Sequence, residues 1–308
     1  MFDPKIHQRK TRAASLSIAS NLILIVIKLS VGLAMGSVSV ISEAAHSGID
    51  LVAAGIAWYS VRQSGKPADE DHPYGHGKIE NVAGTIEAVL IFGAALYIIW
   101  EAIHKLRGGL GVVDNLGLGA VVMALSAGAN YLVSRHLLTV AIETDSVALE
   151  ADAMHLRTDV YTSIGVLGGL LAIKMTGIML LDPLVAIVVS ILIIKTAYEL
   201  IRNSFFHILD TRLPHDEESI IHEILANYSE RFIEYHKLRT RKAGHIRHID
   251  MHLVVPKQMT VENAHALSHE ITDEIEKRLA FSHILVHIEP CESDCSSCSI
   301  CAGKDLAR

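Results

Sequence analysis

Six stretches in the first two-thirds of the chain are apolar over about the 20 residues that a helix needs to cross a bilayer. They lie near Ala13–Met35, Ser37–Val61, Ile79–His104, Leu116–Ile142, Ser146–Lys174 and Pro183–Ile201. Half of the 308 residues are hydrophobic, which is too many for one ordinary soluble domain. The apolar runs end near Ile201, and the remaining third of the chain is charged and rich in His. The chain therefore reads as an all-α six-helix membrane bundle followed by a soluble domain. No cleavable signal peptide is visible, because the apolar run behind Lys5, Arg9, Lys10 and Arg12 is itself of spanning length.

Basic residues in short loops stay on the cytoplasmic side of a membrane. The arm before the first span, Arg62, Lys66 and Lys78 after the second, and Arg202 at the end of the sixth outnumber Lys105, Arg107 and Lys174 on the opposite side. Both termini are thus expected in the cytoplasm of a multi-pass protein of the cell membrane. The expected divisions are a cytoplasmic arm at 1–12, a six-span domain at 13–208, a soluble domain at 209–290 and a Cys-rich tail at 291–308. A formal net charge of −7 argues against nucleic acid as a partner.

Within the second apolar stretch stand His46 and Asp50, and within the fifth His155 and Asp159. Residues four apart on a helix lie one above the other on the same face, so each pair aims an imidazole and a carboxylate at one point. Two such helices brought together offer two nitrogens and two oxygens, a set that suits a tetrahedral ion, Zn²⁺ first. A lone Asp near the bilayer centre costs about 2.5–3.5 kcal/mol, and a bound dication would offset that cost. Asn21, Lys28, Glu87 and Asn130 read as interhelical hydrogen-bonding or snorkelling groups. Glu150 and Asp152 are expected to line an acidic approach to the four ligands.

Beyond Leu209 the pattern becomes that of a small α+β domain in the order αββαβ, metallochaperone-like, with its helices on one face of the sheet. Leu213-Pro214 opens a helix carrying Ile220, Ile221, Ile224 and Leu225. Strand-like runs come next at His236–Arg241 and Ile246–Val255, the second alternating His248, Asp250 and His252 with Ile249, Met251 and Leu253. Thr260 caps a helix, and Ile284–Ile288 is the last strand. The four cysteines, Cys291, Cys295, Cys298 and Cys301, crowd the C-terminus. In a reducing cytosol they are a four-thiolate metal site, a flexible metal-scavenging tail or merely exposed thiols, with a spacing partly like that of iron–sulfur ligation.

Six spans, the two His-x-x-x-Asp pairs and an αββαβ domain together resemble the cation diffusion facilitator family of metal transporters, over roughly Lys10 to Pro290. The segments Ser42–Asp50, His72–Glu80 and Ala151–Asp159 carry most of the likeness. The resemblance implies a homodimer that exports divalent metal, most simply Zn²⁺, from the cytoplasm in exchange for protons by alternating access at His46, Asp50, His155 and Asp159. Many similar bacterial members have Asp where His46 stands, so the two-His form is expected to favour zinc and reject cadmium. The resemblance also implies a loop metal site at Asp69, His72 and His76, and a regulatory zinc site at His236, His252, His265, His287 and Glu289. It implies further an interdomain charge pair between Lys78 and Asp210. No organic cofactor and no enzymatic activity are expected, and a metalloprotease would need a His-Glu-x-x-His that the chain lacks. Export of Fe²⁺, Co²⁺ or Cd²⁺ is the alternative reading, as is a membrane sensor that binds metal without moving it.

Overall fold

The computed structural model describes residues 4–35, 38–108, 117–176, 178 and 180–292. The chain divides into two compact units, one ending at Ile208 and one beginning at Leu209.

The first unit consists of α1 (Pro4–Met35), α2 (Val38–Ser64), α3 (Lys78–Gly108), α4 (Gly117–Thr144), α5 (Val147–Thr176) and α6 (Leu181–Ile208). At 1.5 Å per residue these helices run about 40–48 Å, longer than a hydrocarbon core about 30 Å thick. Helix α1 begins at Pro4 and not at Ala13, because nothing in the basic arm breaks helical backbone after that proline. Among the described residues, Pro4–Ala34, Lys78–His104 and Pro183–Ile208 are long and apolar enough to span by composition alone. Helices α2 and α5 carry instead the polar side chains of the expected metal site.

Large apolar side chains such as Leu22, Ile23, Leu33, Leu132 and Ile191 point outward, where a lipid-facing helix needs them. Inside, alanines and branched aliphatic residues make the contacts. Ala88, Ile91 and Ala95 of α3 pack on Ile193, Ala197 and Leu200 of α6. A Cβ at Gly84 would stand 2.9 Å from Ser204 Oγ and 3.0 Å from Val147 Cγ1, so any other residue there would make those side chains shift.

The second unit holds α7 (His215–Asn227), β1 (Glu234–Ala243), β2 (Ile246–Val255), α8 (Val261–Arg278) and β3 (Ser282–Pro290). Strand β2 is central, antiparallel to β1 and parallel to β3. Ile249, Met251 and Leu253 share one buried core with Ile221, Ile224 and Leu225 of α7 and with Leu267, Ile271 and Ile275 of α8. Thr260 accepts a 3.2 Å hydrogen bond from the Asn263 amide and starts α8. Strand β1 extends past both expected ends. A bulge between His236 and Arg239, with Lys237 at φ 52°, inserts one residue and interrupts the alternation that marks a strand.

The face of β2 away from the helices is the histidine face. There His248 is buried beside Arg241, with its ring 5.6 Å from that of His283. Burial first, then Arg241 and His283, push this imidazole down to about 4. The unfolded chain takes up the proton near 6.5, so acidification from 6.5 toward 4 favours unfolding. The soluble unit should lose about 2 kcal/mol on going from pH 7 to pH 5 through this residue alone. Hydrogen exchange of the β2 amides in the full chain checks it: protection should fall with pH, and His248→Gln should flatten that slope.

Candidate metal centres

Helix α2 sets His46 one turn before Asp50, and α5 does the same for His155 and Asp159. The close contacts run between the helices as well as along them. His155 Nε2 lies 3.3 Å from Asp50 Oδ1, and His46 Nε2 lies 3.9 Å from Asp159 Oδ1 and 4.0 Å from Asp50 Oδ1. Bonds of about 2.0 Å to a tetrahedral ion put neighbouring ligand atoms about 3.3 Å apart. The ligand atoms of His46, Asp50 and Asp159 all fall within 4.8 Å of one another, and His155 joins them through Asp50. Asp50 and His155 are buried, Asp159 is mostly so, and His46 is half exposed. Asp159 Oδ2 and His155 Nδ1 have no hydrogen-bond partner among the described residues.

A cavity of about 410 Å³ reaches this cluster and is lined by His46, Asp50 and Asp159 with Lys28, Glu101 and Asn130. Lys28 Nζ donates to Ser47 Oγ at 2.8 Å, and Asn21 Nδ2 donates to the Asp50 carbonyl at 3.4 Å. Both behave as interhelical hydrogen-bonding groups. Glu150 and Asp152 do not line this cavity. Asp152 is completely buried among the helices, because α5 turns it toward the bundle interior.

The loop between α2 and α3 gathers Asp69, His72 and His76. Asp69 lies 3.1 Å from His72 Nδ1 and 3.3 Å from His76 Nε2, with the two rings 4.3 Å apart. The His72 amide donates to the Asp69 carboxylate at 2.7 Å, and this bond above all holds that carboxyl below its usual range. Gly75 supplies the left-handed turn, at φ 80°, between the two histidines.

In the soluble unit, register places His236, His252 and His287 in one row across the three strands. Glu289 is their common neighbour: His252 Nδ1 is 2.6 Å, His236 Nε2 3.1 Å and His287 Nε2 3.6 Å from its carboxylate. The bond with His252 leads the effects that lower the Glu289 carboxyl. His265 stands apart from this row. It projects from α8, which packs on the core face of the sheet, and its ring lies 4.4 Å from that of His269. The alternation of β2 turns His252 to the other face. Lys78 donates to the Ile208 carbonyl at 3.3 Å in the helical unit, and Asp210 accepts from Arg241 at 3.2 Å in the soluble one. Cys291 is buried, and its amide donates to the Val255 carbonyl. Cys295, Cys298 and Cys301 lie outside the described residues.

One buried constellation went unread in the sequence. Glu80, fully buried at the start of α3, accepts from Lys10 Nζ at 3.1 Å, Ser64 Oγ at 2.6 Å and Ser146 Oγ at 2.5 Å. Its four members are scattered from residue 10 to residue 146, so only tertiary packing relates them.

Residues 14–209 match the family described as "Cation efflux transmembrane domain", and residues 213–291 match "Cation efflux protein, cytoplasmic domain". The chain is 33% identical over 279 residues to "Uncharacterized transporter sll1263" of Synechocystis sp., covering 91% of this chain and 90% of the relative. It is 31% identical over 292 residues to "Cation-efflux pump FieF" of Yersinia pestis (strain Pestoides F), covering 94% and 96%. A solved structure described as "Metal-bound C-terminal domain of CzcD transporter from Thermotoga maritima" is 28% identical over 25% of this chain and 91% of that chain, with a TM-score of 0.24. With a helical transmembrane domain, a cytoplasmic α+β domain and both family matches in sequence order, the chain belongs to the cation diffusion facilitator family of cation-efflux transporters rather than to any enzyme class.

Proposed function

We propose that this protein exports Zn²⁺ from the cytoplasm in exchange for protons, as a homodimer that exposes His46, Asp50, His155 and Asp159 alternately to the two sides of the membrane. The observation that carries the reading is the convergence of two imidazoles and two carboxylates at 3.3–4.0 Å inside a bundle of apolar helices. Three features support zinc. The donor set is N₂O₂, the 3.3 Å separation of His155 from Asp50 matches a tetrahedral edge, and the buried Asp159 Oδ2 has no hydrogen-bond partner among the described residues. Mn²⁺ and Mg²⁺ prefer all-oxygen shells.

Proton exchange arises from the same chemistry. An imidazole binds metal only when neutral and a carboxylate only when ionised, so loading the dication expels protons and unloading takes them back. The cluster of His236, His252, His287 and Glu289 is the proposed regulatory site. Cytosolic metal held there would draw two soluble domains together and bias the dimer toward a transport-competent state. The loop residues Asp69, His72 and His76 form a further proposed site. Lys78 with Asp210 is the proposed link between the domains, and both termini are proposed to be cytoplasmic.

Reconstituted vesicles test the proposal. Metal-dependent flux with opposing proton movement is expected for Zn²⁺, and Asp159→Ala should lower it by at least a hundredfold; full flux from that variant would remove the site from the account. A chain that binds Zn²⁺ but moves none would be a sensor. The half-exposed His46 is the residue proposed to discriminate among metals, so His46→Asp should admit Cd²⁺ at a rate comparable to Zn²⁺. An unchanged Zn²⁺ to Cd²⁺ ratio would refute that role.

A further inference from the structure

The candidate metal cluster opens to a cavity toward one end of the bundle, and toward the other the described residues pack into a buried core. The cytoplasmic domain comes after Ile208, so the C-terminal end of α6 faces the cytoplasm, and the hydrogen bond from Lys78 to Ile208 fixes the start of α3 at that same end. Glu80 is two residues further along α3. The cavity that reaches the cluster is lined by the opposite stretches, Lys28 late in α1, Tyr97 and Glu101 late in α3, and Ala186 early in α6.

At the cytoplasmic end the closure has two layers. Nearer the cluster, Ala13, Ala14, Val61, Ala83, Leu137 and Leu149 pack as a core of mostly small side chains from five helices. Beyond it lies Glu80, which ties α1 through Lys10, α2 through Ser64 and the start of α5 through Ser146. Lys10 is only 3% exposed, so the ion pair is shielded from water and its attraction is little screened. Charges buried this way are tolerated as a set and penalised once one member is taken away. Such a group is either closed or fully opened to water, and this is what a two-state closure needs.

We infer that Glu80, bound by Lys10, Ser64 and Ser146, is the latch of the cytoplasmic gate, a positioning group that keeps the metal cluster shut off from the cytoplasm while its outer cavity is open. The inference rests on the alternating-access reading above. In a cytoplasm-open state water must reach the cluster between α1, α2, α3 and α5, and those are the elements this one carboxylate joins. Breaking the latch should raise cytoplasmic access without altering the metal ligands.

The test uses the full chain with its four cysteines replaced by serine and one reporter, Leu149→Cys, in the sealed layer. A membrane-impermeant maleimide applied from the cytoplasmic face should label the reporter at least tenfold faster in Glu80→Gln or Lys10→Met, and no faster when applied from the outer face. Lys10→Arg, which keeps the cation, should retain the slow parental rate. The cytoplasmic KM for Zn²⁺ should fall together with kcat, because the inward-open state gains at the expense of the return step. Should Glu80→Gln fail to fold, Ser146→Ala and Ser64→Ala carry the test with an expected acceleration of about threefold. Unchanged labelling, or labelling raised equally from both faces, would overturn the latch. Labelling needs no metal flux, so a protein that proved silent toward Zn²⁺ yet labelled as described would count against the zinc reading and leave the latch standing.

Discussion

A carboxylate held inside a bilayer has to be answered by a cation or a proton, and Asp50 and Asp159 impose that demand twice within one bundle. The neighbouring groups answer it only in part. His155 approaches Asp50, His46 approaches Asp159, and one oxygen of Asp159 is left without a partner among the described residues. A site with two anions, two titratable nitrogens and an unsatisfied oxygen is chemically restless. It suits a dication or a pair of protons, and the exchange proposed here is the alternation between them. The structure around it serves that requirement: small residues let the helices approach, apolar faces point to lipid, and one cavity gives the ions a way in or out.

The soluble domain solves a related problem with different architecture. A three-stranded sheet with helices on one face leaves the other free, and period-two alternation places every second residue of β2 and β3 there. Histidines at those positions line up across strands without disturbing the core of Ile249, Met251 and Leu253. Glu289 joins three of them, its longer side chain reaching back from the neighbouring row.

Features that depend on local spacing were legible in the sequence. The helical transmembrane domain followed from the apolar runs, the αββαβ order from alternation in β2 and the cap at Thr260, and the family from three short segments. Features that depend on how helices turn toward one another were not. Spacing put His46 with Asp50 on one face but could not tell that His155 would lie closest to Asp50. Asp152 looked like part of an acidic approach because it precedes His155 by about one turn, and that displacement carries it away from the cavity. The basic arm at Lys5–Arg12 continues helix α1, because charge marks an interface but does not end a helix. Glu80 stood within a segment singled out for its histidines, and nothing local marked it as the meeting point of three other elements.

The central claim, that His46, Asp50, His155 and Asp159 surround one dication, is tested most directly by X-ray absorption at the zinc edge. The sample is the full chain loaded with one equivalent of Zn²⁺, after His72, His76, His236 and His252 are replaced by alanine and the cysteines by serine. The account predicts four nitrogen and oxygen neighbours at about 2.0–2.2 Å with two imidazole signatures, and loss of that spectrum in Asp159→Ala. A spectrum unchanged by Asp159→Ala, or one with no imidazole signature, would contradict it.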